Sequence, residues 1–581
     1  MSVNAELAAI FNEMAAVLEI LGANRFRVNA HARVARVLKD LTVDVTTLAD
    51  DVGKLTAIDG IGEGSAKKII EFIETGKVRE HQDLLAEIPG GLLDVLDIPG
   101  LGPKTVKLLW EQADVTDIPS LEKAIVSGKL EKLPRMGAKT IANITESIAF
   151  AAKSSQRVRL GEALPVAEAI VEQLKTVKGV KRIQYAGSLR RGSETIGDID
   201  ILASTSKPKE LAEAFRAMDG VEKVLAAGET KSSIRLDAGI QVDLRIIDDA
   251  SFGAALLYFT GSKQHNVAMR ERALKRNLRL NEYGLFPDDG EEAPPQKRGV
   301  KPVASKSEEE VFAALDLPWI PPEMREDRGE LRARLPAVLE PDDIKCDLHA
   351  HTTASDGKMT IDELAQAAKA MGYHTVAVTD HSKASAQANG LDEKRLLKHV
   401  QAVREADARI KGITILAGTE VDILADGRLD YGDDVLAELD IVIASPHVAL
   451  RQPADKATRR LLSAIRHPLV DIIGHPTGRI INKREGLHPD LNALIEAAIE
   501  HDTALEINAN YLRLDLRDTH VRAAVEAGAL ISINTDAHSP VDFQQMRYGV
   551  LTARRGWLTK KQCINAWSKQ KLRAWLRGEG A

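Results

Sequence analysis

Two carboxylates two residues apart, in Gly197-Asp198-Ile199-Asp200-Ile201-Leu202, are the first residues here whose spacing can do chemistry. Apolar residues alternate with them as on a strand, so both carboxylates leave the same face. Asp243, in Val242-Asp243-Leu244-Arg245, belongs to a second alternating run that could bring a third carboxylate alongside. Bunched aspartates repel one another unless cations lie among them, and an all-oxygen donor set suits Mg²⁺ or Mn²⁺. Upstream, Gly187-Ser188-Leu189-Arg190-Arg191-Gly192-Ser193 offers backbone N–H groups, a hydroxyl and a guanidinium, the donors a polyphosphate needs. Two cations shared by Asp198, Asp200 and Asp243 would suit displacement at phosphorus, contacting the attacking and the leaving oxygens.

Histidine supplies a second constellation. Twelve of the 15 histidines lie beyond residue 340. From 344 onward, seven short apolar runs alternate with amphipathic helical stretches: IKCDLHAH, TVAVTDH, ITILAGTEVDI, DIVIASPH, VDIIGHP, ALEINAN and LISINTDAH. That alternation implies a parallel sheet rolled into a barrel, whose active site gathers at the C-terminal ends of the strands. Nine ligand-type residues fall at or just past such ends: His349, His351, Asp356, His381, Glu420, His447, His475, Asp536 and His538. Imidazole-rich donors favour Zn²⁺, Mn²⁺ or Fe over Mg²⁺. Ions of this kind acidify bound water and clamp a phosphate, which is the chemistry of phosphoester hydrolysis. Glu506 and Asn508, also near a strand end, could support the ligands from behind. His374, His399, His467, His488, His501 and His520 fall in helices or loops and read as ordinary.

The elements that must position these groups change along the chain. Residues 1–150 read as short helices joined by Gly-containing turns: Ile58-Asp59-Gly60-Ile61-Gly62, Ile98-Pro99-Gly100-Leu101-Gly102-Pro103 and Leu133-Pro134-Arg135-Met136-Gly137. Glycine permits close approach, and the following helix offers free N–H groups to an anion. The repeated shape resembles helix-hairpin-helix motifs, which hold DNA phosphates without reading sequence. The resemblance makes Gly60, Gly62, Gly100, Gly102 and Gly137 DNA-binding candidates; the third copy departs from it, with Arg135 in place of the first glycine. Net charge is −7, yet residues 157–191 carry eight basic against three acidic groups, and 263–279 six against one. A nucleic-acid footprint would sit in those windows.

The Asp-rich strands and the Gly-Ser turn resemble the nucleotidyltransferase fold and, more narrowly, family X DNA polymerases of the polymerase β type. The segment Tyr258-Phe259-Thr260-Gly261-Ser262-Lys263-Gln264-His265-Asn266 sharpens the match, because in that family a Tyr-Phe-x-Gly-Ser turn closes on the sugar. The resemblance implies that Gly187, Ser188, Arg191 and Gly197 hold the triphosphate, joined by Arg157. It also implies that Tyr258, Phe259 and Gly261 flank the sugar, that Asn266 touches the incoming base and that Arg270 approaches the template. Asp243 would accept the proton. Lys263 stands where relatives carry an acid, and its ammonium would reach the nucleotide phosphates. Lys68, in Gly60-Ile61-Gly62-Glu63-Gly64-Ser65-Ala66-Lys67-Lys68-Ile69, aligns with the family's Schiff-base lysine; a lysine at a DNA phosphate is the alternative. The C-terminal set resembles the PHP domain. That likeness implies three ions: one on His349, His351, Glu420 and Asp536, one on Asp356, His381 and His538, and one on Glu420, His447 and His475.

The whole order resembles bacterial and archaeal family X polymerases with a C-terminal PHP domain. The expectation is multidomain: a lyase-like helical region (1–80), a helix-hairpin-helix fingers region (81–152), an α+β palm (153–250), a thumb (251–322), a linker (323–343) and a distorted (βα)7-type barrel (344–581). The expected function is gap-filling, template-directed synthesis, with 3′→5′ exonuclease or phosphodiesterase action in the barrel. Gapped or nicked duplex DNA and dNTPs would be the partners of a monomer in the cytoplasm, at the nucleoid. A small-molecule phosphatase, a structural metal platform in the barrel, or a non-templated nucleotidyltransferase stay open as alternatives. The 581 residues, 44% apolar and 28% charged, suit several globular units. No apolar run is long enough for a membrane span, and the N-terminus reads as a helix rather than a signal peptide. Two cysteines, Cys346 and Cys563, exclude a disulfide framework.

Overall fold

Leu7, Phe11, Met14 and Leu18 recur at helical spacing and are buried on one face of the helix Val3–Leu21, which packs on the helix Arg25–Asp40 through Val34, Ala35 and Leu38. Asn24 caps the second of these, its side chain accepting from the Phe26 N–H. The computed structural model describes residues 3–96, 98, 101–134, 136–137, 140–141, 144–145, 148 and 157–578, and the chain divides into two units, Met1–Gln156 and Arg157–Ala581.

The first unit is helical throughout its described residues. Its three turns share one backbone pattern. Ile61, Leu101 and Met136 each donate to the carbonyl three residues back, and Ser65, Thr105 and Thr140 do the same to Gly62, Gly102 and Gly137. Gly62 and Gly102 open the helices Glu63–Thr75 and Pro103–Ala113.

In the second unit, a five-stranded sheet runs in the order Val180–Tyr185, Asp198–Thr205, Gln241–Ile246, Lys231–Leu236, Val221–Ala227. The helices Leu160–Lys175 and Pro208–Arg216 supply apolar residues to its core. The helices Phe252–Thr260, Lys263–Leu274 and Glu308–Ala314 and the hairpin of Leu278–Asn281 with Gly284–Pro287 follow.

Seven parallel strands then pair in chain order, from Cys346–Asp347 to Ile531–Asn534. The ring closes where Ala350 bridges Ala537 and the His351 N–H donates to the Ala537 carbonyl at 2.9 Å. Runs such as Ile441–Ser445 are buried along their whole length, as strands covered on both faces must be. Ile564, Trp567, Leu572 and Trp575 pack with Cys346, Ile441 and Ile472.

Within the stretch 323–343, read from its charge as a linker, several side chains are buried. Arg325 is fully buried, donating to Glu308 at 2.6 Å, and Glu330 lies buried against His265 Nδ1 at 2.7 Å. Charge and proline in sequence look the same whether their partner is water or a distant residue.

Candidate functional sites

Asp200 lies directly beside Asp243 in the parallel pairing of their two strands, and Asp198 leaves the same face one pleat away. The three carboxylates meet as the spacing predicts. Burial, then Asp198 and Asp243, push the Asp200 carboxyl up to about 7. Asp198 is raised as well, by burial and by Asp243, against the opposing pull of Arg157. Such a cluster is short of positive charge, the condition a cation relieves. Gln241 Nε2 donates to Asp243 Oδ1 at 2.9 Å, while Oδ2 stands 3.9 Å from Lys231 Nζ. Arg245 sits two residues beyond Asp243 on that face, draws the Asp200 carboxyl down and lies over the Phe259 ring at 4.5 Å. Period-two spacing in Val242-Asp243-Leu244-Arg245 carried this signal, although only the aspartate had been singled out.

The Gly-Ser turn abuts the cluster. At Gly187, φ is +62° and an added Cβ would lie 2.6 Å from Asp200 Oδ2, so only glycine fits against the carboxylate. Ser188 is half-buried beside it. Arg157 donates to the Thr195 hydroxyl and carbonyl and reaches within 3.0 Å of the Cβ position of Gly197. Arg191 lies on the same turn, donating from Nε to Glu326 Oε1 at 3.0 Å and from Nη1 to the Thr260 carbonyl at 2.6 Å. Tyr258 and Phe259 meet edge to face, and Asn266 Nδ2 donates to the Tyr258 carbonyl at 2.6 Å. Tyr258, Asn266 and Arg270 line one hollow; Gly261 is buried and Lys263 is exposed at the first turn of its helix.

All nine barrel residues converge. His351, Asp356, His381 and His538 form one group, His349, His351 and Asp536 a second, and His381, Glu420 and His447 a third, with the ligand atoms in each within 4.8 Å of one another. His475 Nε2 adds a contact to Glu420 Oε1 at 2.9 Å. The grouping keeps Glu420 between imidazoles as expected, and brings His351 to the Asp356 group and His381 to Glu420. Buried atoms without a hydrogen-bond partner include His349 Nε2, His351 Nε2, His381 Nδ1, Glu420 Oε2 and Asp536 Oδ1. Polar atoms left so are costly unless something else binds them, and nitrogen and carboxylate donors together fit divalent transition-metal ions.

The imidazoles are aimed from behind. Glu506 Oε1 lies 2.8 Å from His349 Nδ1 and Asp422 Oδ1 lies 2.9 Å from His447 Nδ1, which turns each Nε2 toward the cluster. Asn508 Nδ2 donates to Asp536 Oδ2 at 3.1 Å. Burial and the neighbouring His381 push His351 down to about 4, so it stays a neutral donor. For His447 burial pulls downward, but Glu420 and Asp422 outweigh it and raise the imidazole to about 10. Asp380 and His399 were missed. Asp380 is fully buried, accepts from the Thr352 and Ser355 N–H groups and faces His399 Nε2 at 2.8 Å, which fixes the loop carrying His351 and Asp356. No sequence signal joins these two, since one ends a strand and the other lies mid-helix.

In the first unit, no other side chain or backbone among the described residues, the glycine's own neighbours and helix aside, lies within 4 Å of a Cβ built at Gly62, Gly102 or Gly137, which leaves that side of each turn uncovered. Gly60, at φ +101°, instead packs on Arg33 and Val37. Gly100 and Arg135 lie outside the described residues. Lys68 Nζ is paired with Glu80 Oε2 at 2.8 Å and donates to the Gly64 carbonyl, while Arg27 holds the other oxygen of Glu80.

Comparison with known proteins follows the same division. Residues 2–78 match a helix-hairpin-helix domain, 92–149 a SAM-like helix-hairpin-helix tandem, 255–326 the DNA polymerase beta thumb and 347–510 the PHP domain. The chain is 38% identical over 576 residues to DNA polymerase/3′-5′ exonuclease PolX of Bacillus subtilis (strain 168), across 98% of this chain and 99% of that one. Shorter likenesses reach a probable phosphatase of Thermoanaerobacter sp. (strain X514), 29% identical across 38% of this chain and 89% of the relative. A probable phosphatase of Shewanella sp. (strain MR-4) is 34% identical across 33% and 75%.

Proposed function

This chain belongs to the family X DNA polymerases with a C-terminal PHP domain, and from that premise we propose that it fills gaps in duplex DNA by template-directed synthesis and trims 3′ ends in its barrel. The carrying observation is that ligand-type side chains crowd together in two separate places, an oxygen cluster in the palm short of cationic partners and an imidazole-rich cluster in the barrel with buried atoms left without a hydrogen-bond partner.

In the palm, Asp198, Asp200 and Asp243 would hold two Mg²⁺ or Mn²⁺ ions, which supply charge neutralisation to the attacking 3′ oxygen and the leaving pyrophosphate. Asp243 Oδ1 is occupied by Gln241, so Oδ2 is the atom placed to take the 3′-hydroxyl proton. Gly187, Ser188 and Arg191 of the turn, with Gly197 and Arg157, would supply phosphate donors, and Lys263 would approach from the thumb. Tyr258, Phe259 and Gly261 would flank the sugar, Asn266 the base and Arg270 the template. In the barrel, the nine residues would hold up to three Zn²⁺, Mn²⁺ or Fe ions, which supply an acidified water and a phosphate clamp. Glu506, Asp422 and Asp380 keep the imidazoles aimed while a phosphodiester is cut. The open glycine turns at Gly62, Gly102 and Gly137 would hold the DNA backbone. No helix among the described residues is long and apolar enough to cross a membrane, and a cytoplasmic place at the nucleoid fits a DNA substrate.

The relatives named probable phosphatases keep a small phosphomonoester in view for the barrel. Primer extension and degradation on gapped DNA decide the matter when run for the parent, Asp198→Ala/Asp200→Ala and His351→Ala. The first variant should lose extension alone and the second degradation alone. Degradation surviving in His351→Ala would leave the barrel without a nuclease role, and addition that ignores the template base would remove the polymerase reading.

A further inference from the structure

The palm's turn Arg191-Gly192-Ser193-Glu194 carries the chain from the Ser188 phosphate donors to Asp198, and within four residues the barrel touches it three times. Arg555, on the barrel helix Met546–Arg555, donates from Nη1 to the Arg191 carbonyl at 2.8 Å. Leu551 of the same helix covers Gly192, whose φ is +64° and whose added Cβ would lie 3.1 Å from the leucine Cβ. Arg479 donates from Nη2 to Glu194 Oε2 at 2.8 Å, and Arg517 stands 3.7 Å from Oε1. Both Arg479 and Arg555 are buried, unusual for arginine without a fixed task. Glu326 links the contacts sideways, accepting from both Arg191 and Arg555.

A connecting turn is normally among the more mobile parts of a domain. Here its carbonyl, its glycine and its carboxylate are each held by the barrel. We propose that the barrel serves nucleotidyl transfer directly, with Arg479 and Arg555 as positioning residues that hold the phosphate-binding turn in its working geometry. The inference rests on the palm reading above. Neither arginine touches the nucleotide; each fixes a backbone segment that ends in a group that does. Displacing catalytic or binding groups by about 1 Å can cost roughly a hundredfold, so loosening either attachment falls on nucleotide binding rather than on the carboxylates, which their own strands hold.

The test uses the full chain, with steady-state single-nucleotide extension on gapped duplex at varied dNTP. Glu194→Gln and Arg555→Gln should each raise KM for dNTP about tenfold while kcat changes less than about threefold. Arg555→Lys, which keeps the charge, should recover part of the loss. The control is Arg547→Gln, which breaks the exposed pair to Glu168 elsewhere on the same joint and should leave KM at the parental value. An unaltered KM in both Glu194→Gln and Arg555→Gln of an active enzyme overturns the inference alone, as does an equal rise in Arg547→Gln. A parent that cannot extend primers removes the palm reading and this inference with it.

Discussion

Carboxylates gather in the palm and again where thumb, palm and barrel meet, and these two gatherings behave in opposite ways. In the palm, burial and the neighbouring Asp198 and Asp243 hold Asp200 near 7. Where thumb, palm and barrel meet, Glu308 is buried too, yet Arg325 and Arg190 overcome the burial and hold it far below the usual carboxylate range. Glu326, set between Arg555 and Arg191, is held at about 2. Burial alone therefore does not mark a functional acid. What separates the palm is the shortage of cationic partners, a deficit that a joint built for stability would not keep.

Removing one carboxylate from each gathering should give opposite signs. Glu308→Gln leaves Arg325 and Arg190 buried with their charge uncompensated, and about 3–5 kcal/mol of unfolding free energy should be lost. Urea denaturation at neutral pH measures it, and a loss below about 1 kcal/mol would show the joint to be weaker than its geometry implies. Asp200→Asn relieves repulsion in the cation-free protein, so stability at pH 8 should hold or rise by roughly 1–2 kcal/mol after allowance for solvent screening, while extension disappears.

The sign can be followed with pH. Asp200 binds its proton more tightly folded than unfolded, so its contribution to stability is complete below the ordinary carboxylate range and is lost as pH climbs through about 7. Glu326 does the reverse: its contribution is complete above the ordinary range and is lost as pH falls toward 2. The stability difference between parent and Asp200→Asn should therefore grow from pH 5 to pH 8, and added Mg²⁺ should abolish the growth. A difference that stays flat without cations would mean the palm carboxylates are already neutralised within the protein.

The same contrast separates what sequence could and could not reveal. The palm carboxylates and all nine ligand-type residues of the barrel were readable because strand periodicity and strand ends fix them locally, each residue announcing its own face. The seven-stranded barrel followed from alternation for the same reason. Glu308 with Arg325, Arg191 with Glu326, and Asp380 with His399 were not readable, because no shared period or strand-end position marks either member as the partner of the other. The segment 323–343 accordingly read as a linker, although Arg325 and Glu330 within it are buried.

Lys68 extends that lesson to the first unit and carries the smallest expected effect. The family resemblance implied a Schiff-base nucleophile at this position of the helix Glu63–Thr75, and such a group must present a free amine to an abasic sugar aldehyde. Glu80 supplies the opposite environment: its carboxylate pairs with Lys68 Nζ at 2.8 Å and is held in place by Arg27. Attack would have to break that pair and the bond to the Gly64 carbonyl first. Borohydride trapping on abasic DNA should thus yield no more adduct with the parent than with Lys68→Ala. Glu80→Gln, which removes the countercharge and keeps the shape, should raise trapping above the parent if the lysine has any latent reactivity. Strong trapping by the parent, lost in Lys68→Ala, would mean that DNA itself pulls Glu80 away, and the ion pair would then be a resting arrangement rather than a block.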